Sequence, residues 1–145
     1  MLNTLEHVTD DVMDWNPPYE RFAPWAKWRA IRQILVPIGA VETCYYLTPL
    51  GFSSPSPPKP VGEDWRPFLE RTRREALAFL GDLSRSDDLR RVTTMKSPGG
   101  VVTYWSVKKS LRRMVWHELL HWKSICRIIR AYDAVHNEST PTSDT

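Results

Sequence analysis

Apolar residues recur along this chain at intervals of three and four, the spacing that lays a single stripe down one side of an α-helix. Leu2, Leu5, Val8, Val12 and Met13 trace such a stripe over residues 2 to 14. The pattern predicts a short amphipathic helix that stops ahead of Asn16-Pro17-Pro18, because a proline disfavours helical backbone in the residue before it. A second stripe runs from Trp28 to Leu47 through Ile31, Ile34, Leu35, Ile38, Val41 and Tyr45. Pro37 stands in its middle, where a missing N–H and a bulky ring predict a kink. A third covers Asp64 to Leu83 with Phe68, Leu69, Thr72, Glu75, Ala76, Phe79, Leu80 and Leu83, and its acidic start favours the positive end of the helix dipole. The last begins at a cap on Ser106 and runs to Tyr132 through Val107, Leu111, Met114, His121, Ile125 and Ile128.

Between these stripes lie two breaks. Residues 49 to 62 hold five prolines and two glycines, which predicts a loop or extended linker rather than packed structure. Ser97-Pro98-Gly99-Gly100 marks the other, followed by a short extended piece at Val101 to Tyr104. A polar segment from His136 to Thr145 is expected to be a disordered tail, leaving residues 1–135 as one domain. A shift that lays Ile31 on Val107 also lays Leu35 on Leu111, Ile38 on Met114 and Glu42 on Glu118, a loose echo between the second and fourth helices. Four helices joined by short connections predict an all-α fold, an up-down-up-down four-helix bundle.

Composition narrows the function classes. A chain of 145 residues, 41% hydrophobic, is long enough to bury one core without disulfides or a structural metal. No apolar run approaches the roughly 20 residues of a membrane span, and Met1 leads into Asn3, Glu6 and Asp10 rather than a leader, so no membrane association and a cytoplasmic location are expected. Cys44 and Cys126 have neither metal-ribbon nor C-x-x-C spacing, which fits two reduced thiols. The net charge of +3 comes from arginines at 71, 73, 74, 112 and 113 with acids interspersed, the look of solvated helix faces. No recognition module accompanies them, and no nucleic-acid partner is expected.

The chemistry concentrates at His117-Glu118-Leu119-Leu120-His121. Residues four apart on a helix sit about 40° apart around the axis, so both imidazoles can reach one divalent metal ion. His117 and His121 share the apolar stripe with Met114, Ile125 and Ile128, and a buried imidazole needs a partner for each ring nitrogen. A metal would satisfy one nitrogen of each; two hydrogen-bonded core histidines are the metal-free alternative. The string also matches H-E-x-x-H, the metalloprotease pattern, but the third ligand that pattern needs would have to come from His136 or Glu138 in the predicted tail.

Trp105-Ser106-Val107, Leu111-Arg112-Arg113-Met114, Trp116-His117-Glu118 and His121 resemble the last helix of DinB-like four-helix-bundle proteins. Trp28-Arg29, Ile31-Arg32-Gln33-Ile34-Leu35, Val41-Glu42 and Tyr45-Tyr46 look like the second helix of that family, and Leu69-Glu70-Arg71-Thr72-Arg73 like its third. The resemblance implies a mononuclear nickel or zinc site of three histidines, two of them corresponding to His117 and His121. It further implies a thiol-dependent S-transferase or isomerase that takes a small thiol, the metal lowering the thiol pKa and holding the thiolate for attack.

The chain departs from this pattern twice. The family's third histidine lines up with Pro37, which has no side-chain donor. Cys44, Glu42 and His7 are the substitutes within the sequence, each with an ordinary structural role as its alternative. The first helix is also shortened, with Met1 entering midway; an upstream start, or a homodimer covering the exposed apolar surface, would account for that. Two functions follow as expectations: a metal-dependent thiol transferase with an incomplete site, or a non-catalytic bundle with a vestigial site that binds a partner or small ligand. The H-E-x-x-H protease is a remote third.

Overall fold

The computed structural model describes residues 2–18, 30–96 and 99–137, which are mostly helical. They group into two compact units, Met1–Leu35 with Leu120–Thr145, and Val36–Leu119. The helices are α1 (Leu2–Leu5), α2 (Asp10–Asp14), α3 (Ile31–Val41), α4 (Trp65–Arg85) and α5 (Val107–Asn137); strands β1 (Val92–Lys96) and β2 (Val102–Ser106) form one hairpin. Helices α3 and α5 contribute residues to both units.

In the first unit, the single helix expected over residues 2 to 14 is split in two. Val8 N–H bonds to Leu5 O in a tight turn, and Thr9 takes extended backbone before Asp10 and Asp11 open α2. Those acids favour a fresh helix start, so the interruption has a local cause. Leu5 and Met13 remain on one stripe and are buried, as are Ile31, Ile34, Leu35, Ile125 and Ile128. Arg32 ties α3 to α2, donating to Asp14 Oδ1 at 2.8 Å and Asp10 Oδ1 at 2.7 Å. Trp15 packs its edge on Tyr132 at 5.5 Å. Trp28 and Arg29, expected at the start of the second helix, lie outside the described residues, as do residues 138–145 of the expected tail. His136 and Asn137 themselves continue α5, His136 stacking on Tyr132 at 3.9 Å.

The second unit begins within α3. The helix runs through Pro37 without ending and widens at Glu42–Tyr46 into a π-helical turn, closed by Leu47 N–H on Glu42 O at 3.3 Å. The extra residue changes which side chains face inward. Tyr45, expected on the buried stripe with Ile38, is 49% exposed, whereas Leu47 is fully buried. Gly39 lets α3 approach α4 closely: a Cβ there would stand 2.7 Å from Phe68 Cε1 and 2.8 Å from Thr72 Oγ1. Asp64 caps α4 by accepting from Trp65 N–H at 2.7 Å.

The proline-rich segment is an irregular, largely exposed loop from Ser53 to Gly62, as expected, but its first residues pack. Leu50 and Phe52 are buried in a cluster with Leu47, Ala76, Leu83 and Val107, and Phe52 meets Phe79 at 5.1 Å. Ser54 Oγ donates to Glu75 at 2.6 Å, and Arg71 donates to both Glu63 and the Pro57 carbonyl, so α4 supplies polar partners to this proline-rich stretch. The extended piece expected at Val101 to Tyr104 is the second half of a hairpin, with Thr93 opposite Trp105 and Met95 opposite Thr103. Trp105 is buried and donates to Thr103 Oγ1 at 3.0 Å, while Val92, Val102 and Tyr104 face outward. Ser106 caps α5 as expected, accepting from Lys109 N–H at 3.2 Å. Among the described residues no helix is long and apolar enough to cross a membrane.

Two glycines in helices should respond oppositely to alanine. Gly39→Ala forces a methyl against Phe68 and Thr72 and should cost about 1–3 kcal/mol. Gly81→Ala meets only the far end of Arg85, at 3.8 Å, and should gain about 0.5–1 kcal/mol from helix propensity. Urea unfolding checks both signs.

Candidate functional site

The polar centre of the Val36–Leu119 unit is built on three elements. The π-turn carries Glu42, α4 carries Arg73, and α5 carries Glu118. Arg73 Nε donates to Glu42 Oε2 at 3.1 Å and its Nη2 to Glu42 Oε1 at 2.8 Å, a fork-on-fork pair; the same Nη2 donates to Glu118 Oε2 at 3.0 Å. Glu42 is only 3% exposed, so this pairing is what makes its burial tolerable. Burial pushes the Glu42 carboxyl up, the Glu118 charge adds to that, and Arg73 works against both. On Arg73 burial acts to lower the pKa, and the two carboxylates outweigh it.

One turn further along the same contact, Tyr46 from the π-turn packs its edge on the His117 ring at 5.6 Å. Tyr46 also lies 6.1 Å from Trp105, and the more exposed Tyr45 meets Trp105 at 5.7 Å, so an aromatic group flanks the charged one. His117 is half-buried. Burial holds its pKa below the ordinary imidazole value of 6.5, against the opposing pull of Glu118, which leaves the ring neutral at pH 7.

The expected site residues therefore meet different fates. His117 reaches the polar centre. His121 is half-buried and belongs to the other unit, as does His7, which is exposed. Cys44 is exposed, its Sγ 3.7 Å from Thr43 Oγ1. Glu42, one of the substitutes for a third metal donor, has both oxygens engaged by Arg73. Glu118, the base of an H-E-x-x-H reading, is likewise held by Arg73. Among the described residues no three His, Cys, Asp or Glu side chains stand together in a group that could hold a metal.

Arg73 is the residue that sequence reasoning missed, because it sits in an arginine cluster that looks solvated. Its signal was positional: it follows buried Leu69 by four and precedes buried Ala76 by three, at the border of the apolar stripe. Ser110, on the inward side of α5, is another: its hydroxyl is fully buried and has no hydrogen-bond partner among the described residues. Compared with models of known protein families, with curated proteins and with solved structures, the chain finds no match.

Removing Arg73 leaves Glu42 charged, buried and unpaired. Arg73→Met should cost about 3 kcal/mol at neutral pH, the lower end for a broken buried pair because Arg73 itself is partly exposed. Protonation relieves an unpaired buried carboxylate, so the deficit should shrink at pH 5 relative to pH 7.5; equal deficits in urea unfolding would show that Glu42 does not depend on Arg73.

His117 gives a second pH test. Because its folded pKa is lowered, the native state binds fewer protons than the unfolded chain near pH 6. The associated stability is present above 6.5 and lost as pH falls through the lower folded value. His117→Gln should flatten the fall in Tm between about pH 7.5 and pH 5.5 relative to the native chain.

Proposed function

We propose that the chain is a DinB-like helical bundle that acts by binding rather than by catalysis, with a polar centre organised by Arg73 in place of a metal. The observation that carries this reading is the bridge from Arg73 to Glu42 and Glu118, which engages the two carboxylates nearest the expected site. Pro37 at the position of the family's third histidine supports it from the sequence. A guanidinium held between two carboxylates is a rigid structural device, and it occupies Glu42 and Glu118 as ion-pair acceptors. Tyr45, Tyr46 and Trp105 pack against one another beside the bridge and help to fix its place in the unit.

A second reading keeps the metal: a nickel- or zinc-dependent thiol transferase in which His117 and His121 are ligands. One observation favours it, the neutral state of His117, since a metal-ligating imidazole must offer a lone pair.

Metal analysis of protein purified without an affinity tag separates the two. The binding reading expects negligible nickel and zinc in the native chain and no change in His117→Ala with His121→Ala, whereas Pro37→His should raise metal uptake by restoring the missing donor. Near-stoichiometric metal in the native chain, lost in the double variant, would establish the enzyme reading instead.

A further inference from the structure

The outward side of α5 carries a feature that neither the polar centre nor the core uses. Leu111, Val115, Trp116 and Leu119 are all exposed, Val115 by 61% and Trp116 by 51%. With Lys109, Arg112 and Arg113 they line an open cleft of about 740 Å³. Large apolar side chains gathered on a surface mark an interaction site more often than they mark chance.

The charge around this cleft is of one sign. From Lys108 to Trp116 the helix holds four cations and no acid, and the first acid beyond, Glu118, is turned to Arg73. Lys109 is engaged locally, donating to Tyr104 O at 2.5 Å and lying 4.6 Å over the Trp105 ring. Arg113 lies 5.6 Å over Trp116, which stiffens both side chains at the cleft. Among the described residues no carboxylate pairs with Arg112 or Arg113. Both arginines are exposed, so their charge faces outward.

Three occupants can be compared on these terms. A second copy seated face to face would bring Arg112 and Arg113 against like charges, which opposes a symmetric dimer here. A bilayer is flat, and the lining residues all lie on α5 and spread over roughly half of its circumference, from Leu111 to Arg113, more than a plane meets at once. An amphipathic helix with apolar residues on one side and carboxylates beside them satisfies both the shape and the charge.

We propose that this cleft docks an acidic amphipathic helix of another protein, its apolar residues against Val115, Trp116 and Leu119 and its carboxylates on Arg112 and Arg113. The inference rests on the reading of the chain as a binding protein and assigns the partner to a side of α5 that does not carry Glu118's contact with Arg73. Bidentate arginine–carboxylate pairs set orientation and on-rate, while Trp116 supplies the buried anchor.

The test uses the full chain and a synthetic amphipathic helical peptide of leucine and glutamate, with the same peptide carrying lysine for glutamate as control, read by calorimetry. The glutamate peptide should bind and the lysine peptide should not. Arg112→Glu with Arg113→Glu, and separately Trp116→Ala, should each weaken binding about tenfold or more, with unchanged far-UV circular dichroism because all three residues are exposed. Added salt should weaken the native interaction without any substitution. Absent or equal binding of the two peptides would overturn the proposal. So would indifference to both variants, stronger capture by phosphatidylserine vesicles than by the peptide, or self-association abolished by the arginine variants. Metal uptake by the native chain and by Pro37→His reports on the polar centre alone, so a failure there and a failure at the cleft are distinguishable.

Discussion

A buried carboxylate has to be matched, and in the Val36–Leu119 unit the match is Arg73. Glu42 sits on a π-turn with almost no exposure, in surroundings that would drive an unpaired carboxyl to hold its proton. The planar guanidinium answers with two donors to Glu42 and a shared one to Glu118, joining three elements through one side chain. Lysine could not reproduce that fork, since an ammonium is a point charge on a flexible stem. Around this bridge the rest of the unit takes consistent positions: Tyr46 against His117 on one side, and the Leu47, Phe52 and Ala76 core on the other.

Much of the helical layout was legible because burial on one side of a helix leaves a period in the sequence. Phe68, Leu69, Thr72, Ala76 and Leu83 are buried on α4 as their spacing implied, and Asp64 and Ser106 cap the helices they precede. What the period could not convey is length-independent context. The break between Leu5 and Asp10 depends on a local turn that leaves the stripe intact, so the stripe alone reads as one helix. Strand β1 was invisible because Val92 to Lys96 is half-exposed on one face and exposed on the other, with too few apolar residues to stand out. The proline-rich stretch is the irregular loop its prolines advertise, and what they did not convey is that Leu50 and Phe52 at its start anchor it to the core.

The candidate site was legible in its residues and not in their partners. Spacing identifies His117 and His121 as a pair on one helix, and it cannot tell what faces them. Whether Glu118 is a base or an ion-pair acceptor depends on Arg73, forty-five positions earlier in the chain. Likewise, the arginines of α4 and α5 look alike in sequence, yet Arg73 is committed to carboxylates while Arg112 and Arg113 line an open cleft. Such differences arise from tertiary contacts, which a single chain of letters does not record.

The π-turn turns chain length itself into information. An unbroken helix would return to the same side about two turns after Ile38, putting Tyr45 inside and Leu47 outside. The wider turn shifts the phase by one residue, and the opposite is found. Loss of any one residue between Glu42 and Tyr46 would therefore let the turn close as ordinary α-helix with Leu47 still on the buried side: the wide turn is where the fold stores one residue more than its packing needs.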